Sequence, residues 1–331
     1  MNDKRPFITV IIPAYNEAGY IGRCLESVAA NDYPKDSLEV FVVDGMSSDG
    51  TREIVAGFAE KHPFISLIDN PDRYVPHALN RGIEKARGEY IIRLDAHSEF
   101  PDNYFSKLIE WHGKLDADNV GAVCRTGVVR ETPVSLANRV VLSDRLGVGN
   151  SFFRTGTDKV REVDTVPFGC YRRAVFDRIG LFDTRLVRNQ DIELNKRLAK
   201  NGGKIYLIPD LECTYYAKES YRALARSSYN NGLWNVLTAK YTGSLSSLSL
   251  RHFVPLLFLL SLIVPLPFAL LSSYALIIPA VSAAAYLLVI GVRSAARVPK
   301  GSHWPAVVWA FMVLHLSYGF GSLTGLVKSV K

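Results

Sequence analysis

Short apolar runs alternate with amphipathic stretches through the first hundred residues. Phe7–Ile12 is β-branched and apolar, the pattern of a buried strand. Ile21, Leu25 and Val28 follow on one helical stripe. Leu38–Val43 and Ile65–Ile68 repeat the strand pattern; Thr51–Lys61 and His77–Ala86 repeat the helical one, the second stopped by Gly88. Ile91–Leu94 is the fourth strand. This β-α-β-α-β-α-β order with short connections predicts α/β architecture: a Rossmann-like, mainly parallel sheet flanked by helices.

The pattern then changes. Ser220–Tyr241 mixes Tyr221, Leu224, Leu233, Trp234, Leu237 and Tyr241 with Arg222, Arg226 and Lys240. That predicts an amphipathic helix, lying on a membrane surface or packed on a folded domain. Phe253–Leu271, Tyr274–Val292 and Ala306–Val327 are uncharged runs of spanning length. Pro255, Pro265, Pro267 and Pro279 are positioned to kink the first two, and Ser272-Ser273 leaves only a tight link between them. The chain divides accordingly into a domain over 1–218, an interface helix and linker over 219–251, and an all-α membrane segment over 252–331 with two to three apolar helices.

Charge follows the same division. His252–Lys331 holds none of the 32 acids and only Arg293, Arg297, Lys300, Lys328 and Lys331 among the 39 bases. Much of the net +7 therefore sits beside apolar spans, which argues for a membrane and against nucleic acid. Arg251 before the first two runs, and Arg293, Arg297 and Lys300 after them, put both flanks in the cytosol; Lys328 and Lys331 then fall on the far side of a third span, a mild conflict. His315 in the third run reads as a packing residue, with a proton relay as the rival. No leader-like stretch precedes the first strand, so the N-terminal domain is expected in the cytosol. Cys24, Cys124, Cys170 and Cys213 form no CxxC pair, and reduced thiols fit that compartment.

Polar residues collect at three strand ends: Tyr15–Glu17, Asp44–Asp49 and Asp95–His97. Open parallel sheets bind ligands beyond the carboxyl ends of their strands. Asp95 and His97, two apart, would point the same way on an extended backbone, and a carboxylate with an imidazole suits Mn2+ or Mg2+. There is no GxGxxG in the first turn and no GxxxxGK[ST], so dinucleotide binding and P-loop phosphoryl transfer are disfavoured.

Ile12-Pro13-Ala14-Tyr15-Asn16-Glu17, Val43-Asp44-Gly45 with Ser48-Asp49-Gly50-Thr51, and Leu94-Asp95-Ala96-His97 together resemble the family 2 glycosyltransferases. Pro167-Phe168-Gly169-Cys170-Tyr171-Arg172-Arg173 and Asn189-Gln190-Asp191-Ile192-Glu193-Leu194 extend the resemblance, which covers about residues 6–212 in order. The Asp-Ala-His and Asn-Gln-Asp forms and the apolar tail look most like the succinoglycan-biosynthesis subgroup, which extends lipid-linked sugars.

The resemblance implies a GT-A nucleotide-sugar fold and inverting, metal-dependent transfer of one hexose, glucose by expectation. The donor would be a UDP-sugar and the acceptor a polyprenyl-diphosphate-linked saccharide, at the cytoplasmic face of the inner or plasma membrane, in exopolysaccharide synthesis. It implies that Pro13, Tyr15 and Glu17 border the nucleotide and that Asp44 reads the uracil edge, with Asp49, Asn80 and His77 at the donor site. Asp95 would meet the diphosphate and its Mg2+ or Mn2+; His97, standing where the common pattern has a second Asp, is a candidate metal ligand, phosphate contact or supporting group. Asp191 is the implied base, with Glu193 its rival, and Gly169, Cys170 and Gln190 would border the acceptor.

Processive members carry Gln-x-x-Arg-Trp near Tyr229–Trp234; only Trp234 is kept, which implies one sugar per acceptor. The arginines between Val128 and Val166, namely Arg130, Arg139, Arg145, Arg154 and Arg161, belong to an acceptor flap or to a solvated loop; the sequence leaves both open. A nucleotidyltransferase would want a Gly-rich, basic first turn, which is missing. The non-enzyme alternative is an inactive membrane scaffold that keeps the fold.

Overall fold

The computed structural model describes residues 5–243 and 252–329. Met1–Lys4, Arg251 and Lys331, which entered the charge and leader arguments, lie outside the described residues. The chain forms two compact units, one of residues 1–125 and 152–215, the other of 126–151 and 216–331.

The first unit begins with β1 (Ile8–Ala14), α1 (Ile21–Ala29), β2 (Leu38–Asp44), α2 (Thr51–Lys61), β3 (Ile65–Asp69), α3 (Val75–Lys85) and β4 (Tyr90–Arg93). β1 is buried on both faces because α1 and α3 cover it, so its sequence is a continuous apolar run. β1 pairs in parallel with β2 and β4, and β2 with β3. The registers Ala14↔Asp44 and Asp44↔Asp69 bring three strand ends level, and the loops that follow open along one edge.

The chain continues through β5 (Ser98–Glu99), α4 (Tyr104–Lys114) and β6 (Asn119–Gly127). It leaves for the second unit with α5 (Pro133–Ser143) and α6 (Arg145–Val148). It returns as α7 (Phe152–Thr155), β7 (Arg161–Glu162), β8 (Cys170–Arg172), α8 (Ala174–Ile179), α9 (Gln190–Lys200) and β9 (Ile205–Tyr216). The nine strands form one sheet, ordered β3-β2-β1-β4-β8-β6-β9-β5 with β7 beside β9. The parallel part is the one the sequence pattern predicts. The later strands make the sheet mixed rather than mainly parallel: β8 runs antiparallel to β4 and β6, and β9 to β5 and β7.

The second unit adds α10 (Tyr221–Thr242), α11 (Val254–Ile263), α12 (Ile277–Ala295) and α13 (Trp304–Val327). α10 lies along α13 where glycines let the backbones approach: a methyl at Gly321 would collide with the Tyr229 carbonyl, and one at Gly232 with the Tyr318 carbonyl. The amphipathic stretch is thus a packed helix, and Tyr229 Oη donates to Thr324 Oγ1 at 3.1 Å. Among the described residues, Ser273–Ala295 and Trp304–Val327 are long and apolar enough to cross a membrane. The first apolar run is broken instead: α11 stops at Ile263 and a short 3-10 turn takes up 266–270. Pro265 and Pro267 remove the amide donors that a continuous helix needs there. His315 is a packing residue: it accepts from Tyr286 Oη at Nδ1 (3.0 Å) and donates from Nε2 to the Leu146 carbonyl (3.0 Å).

Candidate active site

The loop after β1 is stitched to the loop after β2. Asn16 N donates to Ser47 Oγ (2.8 Å), Ser48 N to Asn16 Oδ1 (3.0 Å), Glu17 N to Thr51 Oγ1 (2.8 Å) and Ala18 N to Asp49 Oδ2 (3.0 Å). Asp49 also accepts from the amide and hydroxyl of Thr51, so it is a tie between loops, with its pKa held low first by the Thr51 hydroxyl. Asn16, Met46, Arg73, Phe168 and Asn189 are the non-glycine residues with positive φ among those described, and all five sit in loops beside strand ends or at the start of α9. Such strained backbone collects where a site over-determines it.

Asp44, the expected base reader, is held by its own loop and by Arg52. It is fully buried, one oxygen accepting from Ser47 Oγ and the other from Ser47 N and Arg52 Nη1. Arg52 goes on to Asp69 at 2.8 Å. Asp44 as it stands shapes the loop and presents no open carboxylate edge to a base. Tyr15, 46% exposed, is the residue that faces out, and a methyl added to Gly45 would crowd its ring. Pro13 sits opposite Val43, one pair before the register ends at Ala14 and Asp44. Asn80 is also committed elsewhere: its amide exchanges two hydrogen bonds with the backbone of Phe182, at 2.9 and 3.0 Å. His77 lies 3.6 Å from Asp72, a contact of its own helix and the preceding loop.

β4 ends at Arg93, one turn earlier than an extended Asp95–His97 would need. Ser98 N donates to the Asp95 carbonyl (3.2 Å), so Asp95 and His97 stand on a turn and take different neighbours. His97 Nδ1 is 3.3 Å from Glu17 Oε1, and its ring meets Tyr215 edge-on. Asp95 Oδ1 accepts from Arg93 Nη2 at 2.9 Å, while Arg93 Nη1 lies 3.2 Å from Asp191 Oδ2. One guanidinium, its side chain 12% exposed, thus joins the two carboxylates. Burial works against ionised Asp95, but Arg93, His97 and Arg154 outweigh it and hold its carboxyl below the ordinary range. Arg154, on α7, lies over the rings of Tyr215 and Phe153.

Asp191 occupies the first turn of α9, where Ile192 N donates to it at 2.9 Å. Asn189 holds the cap position with left-handed backbone and no side-chain cap bond. Asn195, one turn on, fixes the helix to the sheet: it accepts from Tyr171 Oη (2.9 Å) and Asn119 Nδ2 (3.0 Å) and donates to Thr165 Oγ1 (2.9 Å). The rival Glu193 is taken up by a two-pronged pair with Arg197, both contacts 2.8 Å. Gly169 is backbone support for the site: its carbonyl accepts from Arg93 N (3.1 Å), and a methyl there would strike Asn119. Cys170 is buried, with its thiol pKa pushed up by burial, so no sulfur faces a ligand. Gln190 is buried with Oε1 lacking a hydrogen bond.

The donor set fits a divalent cation in part. Asp95 and His97 would supply one oxygen and one nitrogen ligand, and His97 Nδ1, 3.3 Å from Glu17 Oε1, is buried without a hydrogen bond. No group of three metal-ligating side chains exists among the described residues. An ion here would take its remaining ligands from a diphosphate, as Mg2+ does.

Sequence reading passed over Arg93 and Asn195. A charged residue closing an apolar strand was the available signal for Arg93, since a buried charge needs a partner.

The glycosyl transferase family 2 model matches residues 9–180, a stretch that holds every strand-end loop just described except the start of α9. The chain belongs to that family. This family 2 glycosyltransferase is 30% identical over 264 residues to a Methanococcus voltae enzyme, dolichyl N-acetyl-alpha-D-glucosaminyl phosphate 3-beta-D-2,3-diacetamido-2,3-dideoxy-beta-D-glucuronosyltransferase. The match covers 78% of this chain and 81% of the relative. It is 32% identical over 211 residues to the succinoglycan biosynthesis protein ExoA of Rhizobium meliloti, covering 63% of each chain. Among solved structures it resembles a mannosyltransferase from Pyrobaculum calidifontis in complex with GDP-Man and Mn2+, with a TM-score of 0.62 and 23% identity over 98% of this chain and 88% of that one. At that identity the likeness shows the fold, GT-A, alone.

Proposed function

We propose that this glycosyltransferase moves a single hexose from a UDP-sugar to a lipid-diphosphate-linked saccharide, with inversion, in exopolysaccharide synthesis. The observation that carries the reading is Arg93 between Asp95 and Asp191, which sets a diphosphate-facing acid and a candidate base on one cation. The names of the archaeal and rhizobial relatives support a lipid-linked or polysaccharide acceptor.

In this reading Tyr15, Pro13 and the stitched loops hold the nucleoside. Asp95 and His97 hold Mg2+ or Mn2+, which when bound neutralises charge on the leaving diphosphate. Asp191 takes the acceptor hydroxyl proton as that oxygen bonds to the anomeric carbon and the bond from carbon to the diphosphate oxygen breaks, releasing UDP. Attack opposite the leaving group inverts the centre. Gly169, Gln190 and the Cys170 backbone border the acceptor. The GT-A unit is cytosolic and the apolar helices are multi-pass.

The test is UDP release by the detergent-purified chain over a panel of UDP-sugars and GDP-mannose, with Mn2+ or Mg2+, with and without lipid-linked acceptor. Release from one UDP-sugar that rises with acceptor is the expected result. Release from GDP-mannose alone would overturn the donor assignment, and no release under any condition would favour the inactive scaffold.

A further inference from the structure

The second unit holds a cavity of about 610 Å3 that the transfer reaction does not use, lined by Asp144, Arg145 and Leu146 on one side and by Leu288, Val289, Val292 and Arg293 of α12 on the other. Its charged end is built. Asp144 is buried, accepts from Leu146 N (2.8 Å), and pairs with Arg293 through Nε (2.8 Å) and Nη2 (2.7 Å), with Arg297 Nε at 3.7 Å. The carbonyl of Leu146 is pinned by His315, so the α6 side of the cavity is fixed to α13. One carboxylate thus pairs with two guanidiniums, and Arg145, which also lines the cavity, has no ion-pair partner among the described residues.

The other end is apolar and open. Leu288 is 68% and Val292 64% exposed, one turn apart on α12, and Val289 leads at the same spacing to Arg293 and then Arg297. α12 is the spanning-length helix whose apolar surface the protein leaves almost wholly uncovered. A ligand matching this arrangement has an anionic head and a hydrocarbon chain. The arginines end the helix where bases flank apolar spans, at the headgroup level of a bilayer.

We propose that this cavity binds one anionic phospholipid, its phosphate on Arg145 and Arg293 and an acyl chain along Leu288, Val289 and Val292. The proposal rests on the reading that α12 spans a membrane. Charge complementarity selects a bilayer phospholipid with net negative charge over a zwitterionic one.

The full chain, delipidated in detergent, is titrated with phosphatidylglycerol or phosphatidylcholine and followed by native mass spectrometry. Flotation with vesicles of phosphatidylcholine containing phosphatidylglycerol is run alongside. The expected result is one retained phosphatidylglycerol per chain, at least about tenfold preferred over phosphatidylcholine. Arg145→Ala, which removes no ion pair, should weaken it about tenfold, while Lys300→Ala, a base of the same region outside the cavity, should leave it within about twofold. Equal binding by Arg145→Ala and the wild type, or an equal loss in Lys300→Ala, would overturn the site. Tighter retention of a polyprenyl diphosphate than of phosphatidylglycerol, lost in Arg145→Ala, would replace the bilayer lipid with the acceptor. Failure of the wild-type chain to float would instead overturn the membrane reading beneath the proposal.

Discussion

One guanidinium serves two carboxylates where β4 ends, and the chemistry of the site is most exposed to test there. Arg93 gives 2.9 Å to Asp95 and 3.2 Å to Asp191 from a largely buried position, and despite burial those two acids raise its pKa. Removing one partner of such a group leaves the others charged and desolvated, which costs about 3 kcal/mol. Arg93→Met should therefore lower stability by about that amount in chemical denaturation. Arg93→Lys should recover much of the stability but little activity, because an ammonium cannot span both acids as a planar fork does. Unchanged stability in Arg93→Met would mean that the bridge contributes nothing. Asp191→Asn keeps the shape and removes the base. Transfer should fall at least about 100-fold while calorimetric UDP affinity in Mn2+ stays within about twofold. Full transfer by that variant would remove Asp191 from the role, and the spent geometry of Glu193 leaves no neighbouring acid on α9 to inherit it.

At the scale of elements, the α10–α13 pair rests on glycines, and its prediction is steric. A methyl at Gly321 meets the Tyr229 carbonyl and the Leu233 amide, backbone atoms of the facing helix that cannot rotate away. Gly321→Ala should cost about 2 kcal/mol, read as a lower melting temperature in detergent. Gly291→Ala on α12, where the nearest atom would be Trp304 Cζ2 at 3.6 Å, should melt like the wild type. Equal melting of the two variants would show that α10 and α13 are not packed this closely. The helices themselves were legible in the sequence, since a stripe at 3.6 spacing or an uncharged run of spanning length needs no tertiary knowledge. The break after Ile263 was legible too, in Pro265 and Pro267. What the sequence could not supply was the partner of Ser220–Tyr241, because an aromatic and basic face suits a lipid surface as well as another helix. The end of β4 also escaped it: Asp95 and His97 at a spacing of two look extended, and only the Asp95–Ser98 turn separates them.

Over the whole molecule the same division holds. The parallel half of the sheet announced itself through apolar runs of four to seven residues, while β5, β7 and β8 are two or three residues long and carry no periodicity to read. Those short strands are what turn the sheet mixed and bring Gly169 under Arg93. Beneath them lies a titratable group that ties stability to pH. His112 on α4 is 2% exposed and donates from Nε2 to the carbonyl of Cys170 (2.8 Å), the first residue of β8. Burial lowers its pKa from 6.5 to about 4. A histidine whose folded pKa is depressed binds its proton in the unfolded chain first, so it destabilises the fold as pH falls through the interval from 6.5 to about 4. Between pH 7 and pH 5 that linkage amounts to about 2 kcal/mol. His112→Gln can keep the bond to the Cys170 carbonyl through its amide and has no proton to gain. The expected result is that the wild type loses about 2 kcal/mol more than His112→Gln over that interval in denaturant unfolding. Parallel losses would place the acid sensitivity of this unit in its carboxylates instead, with Asp95 beside Arg93 the first to examine.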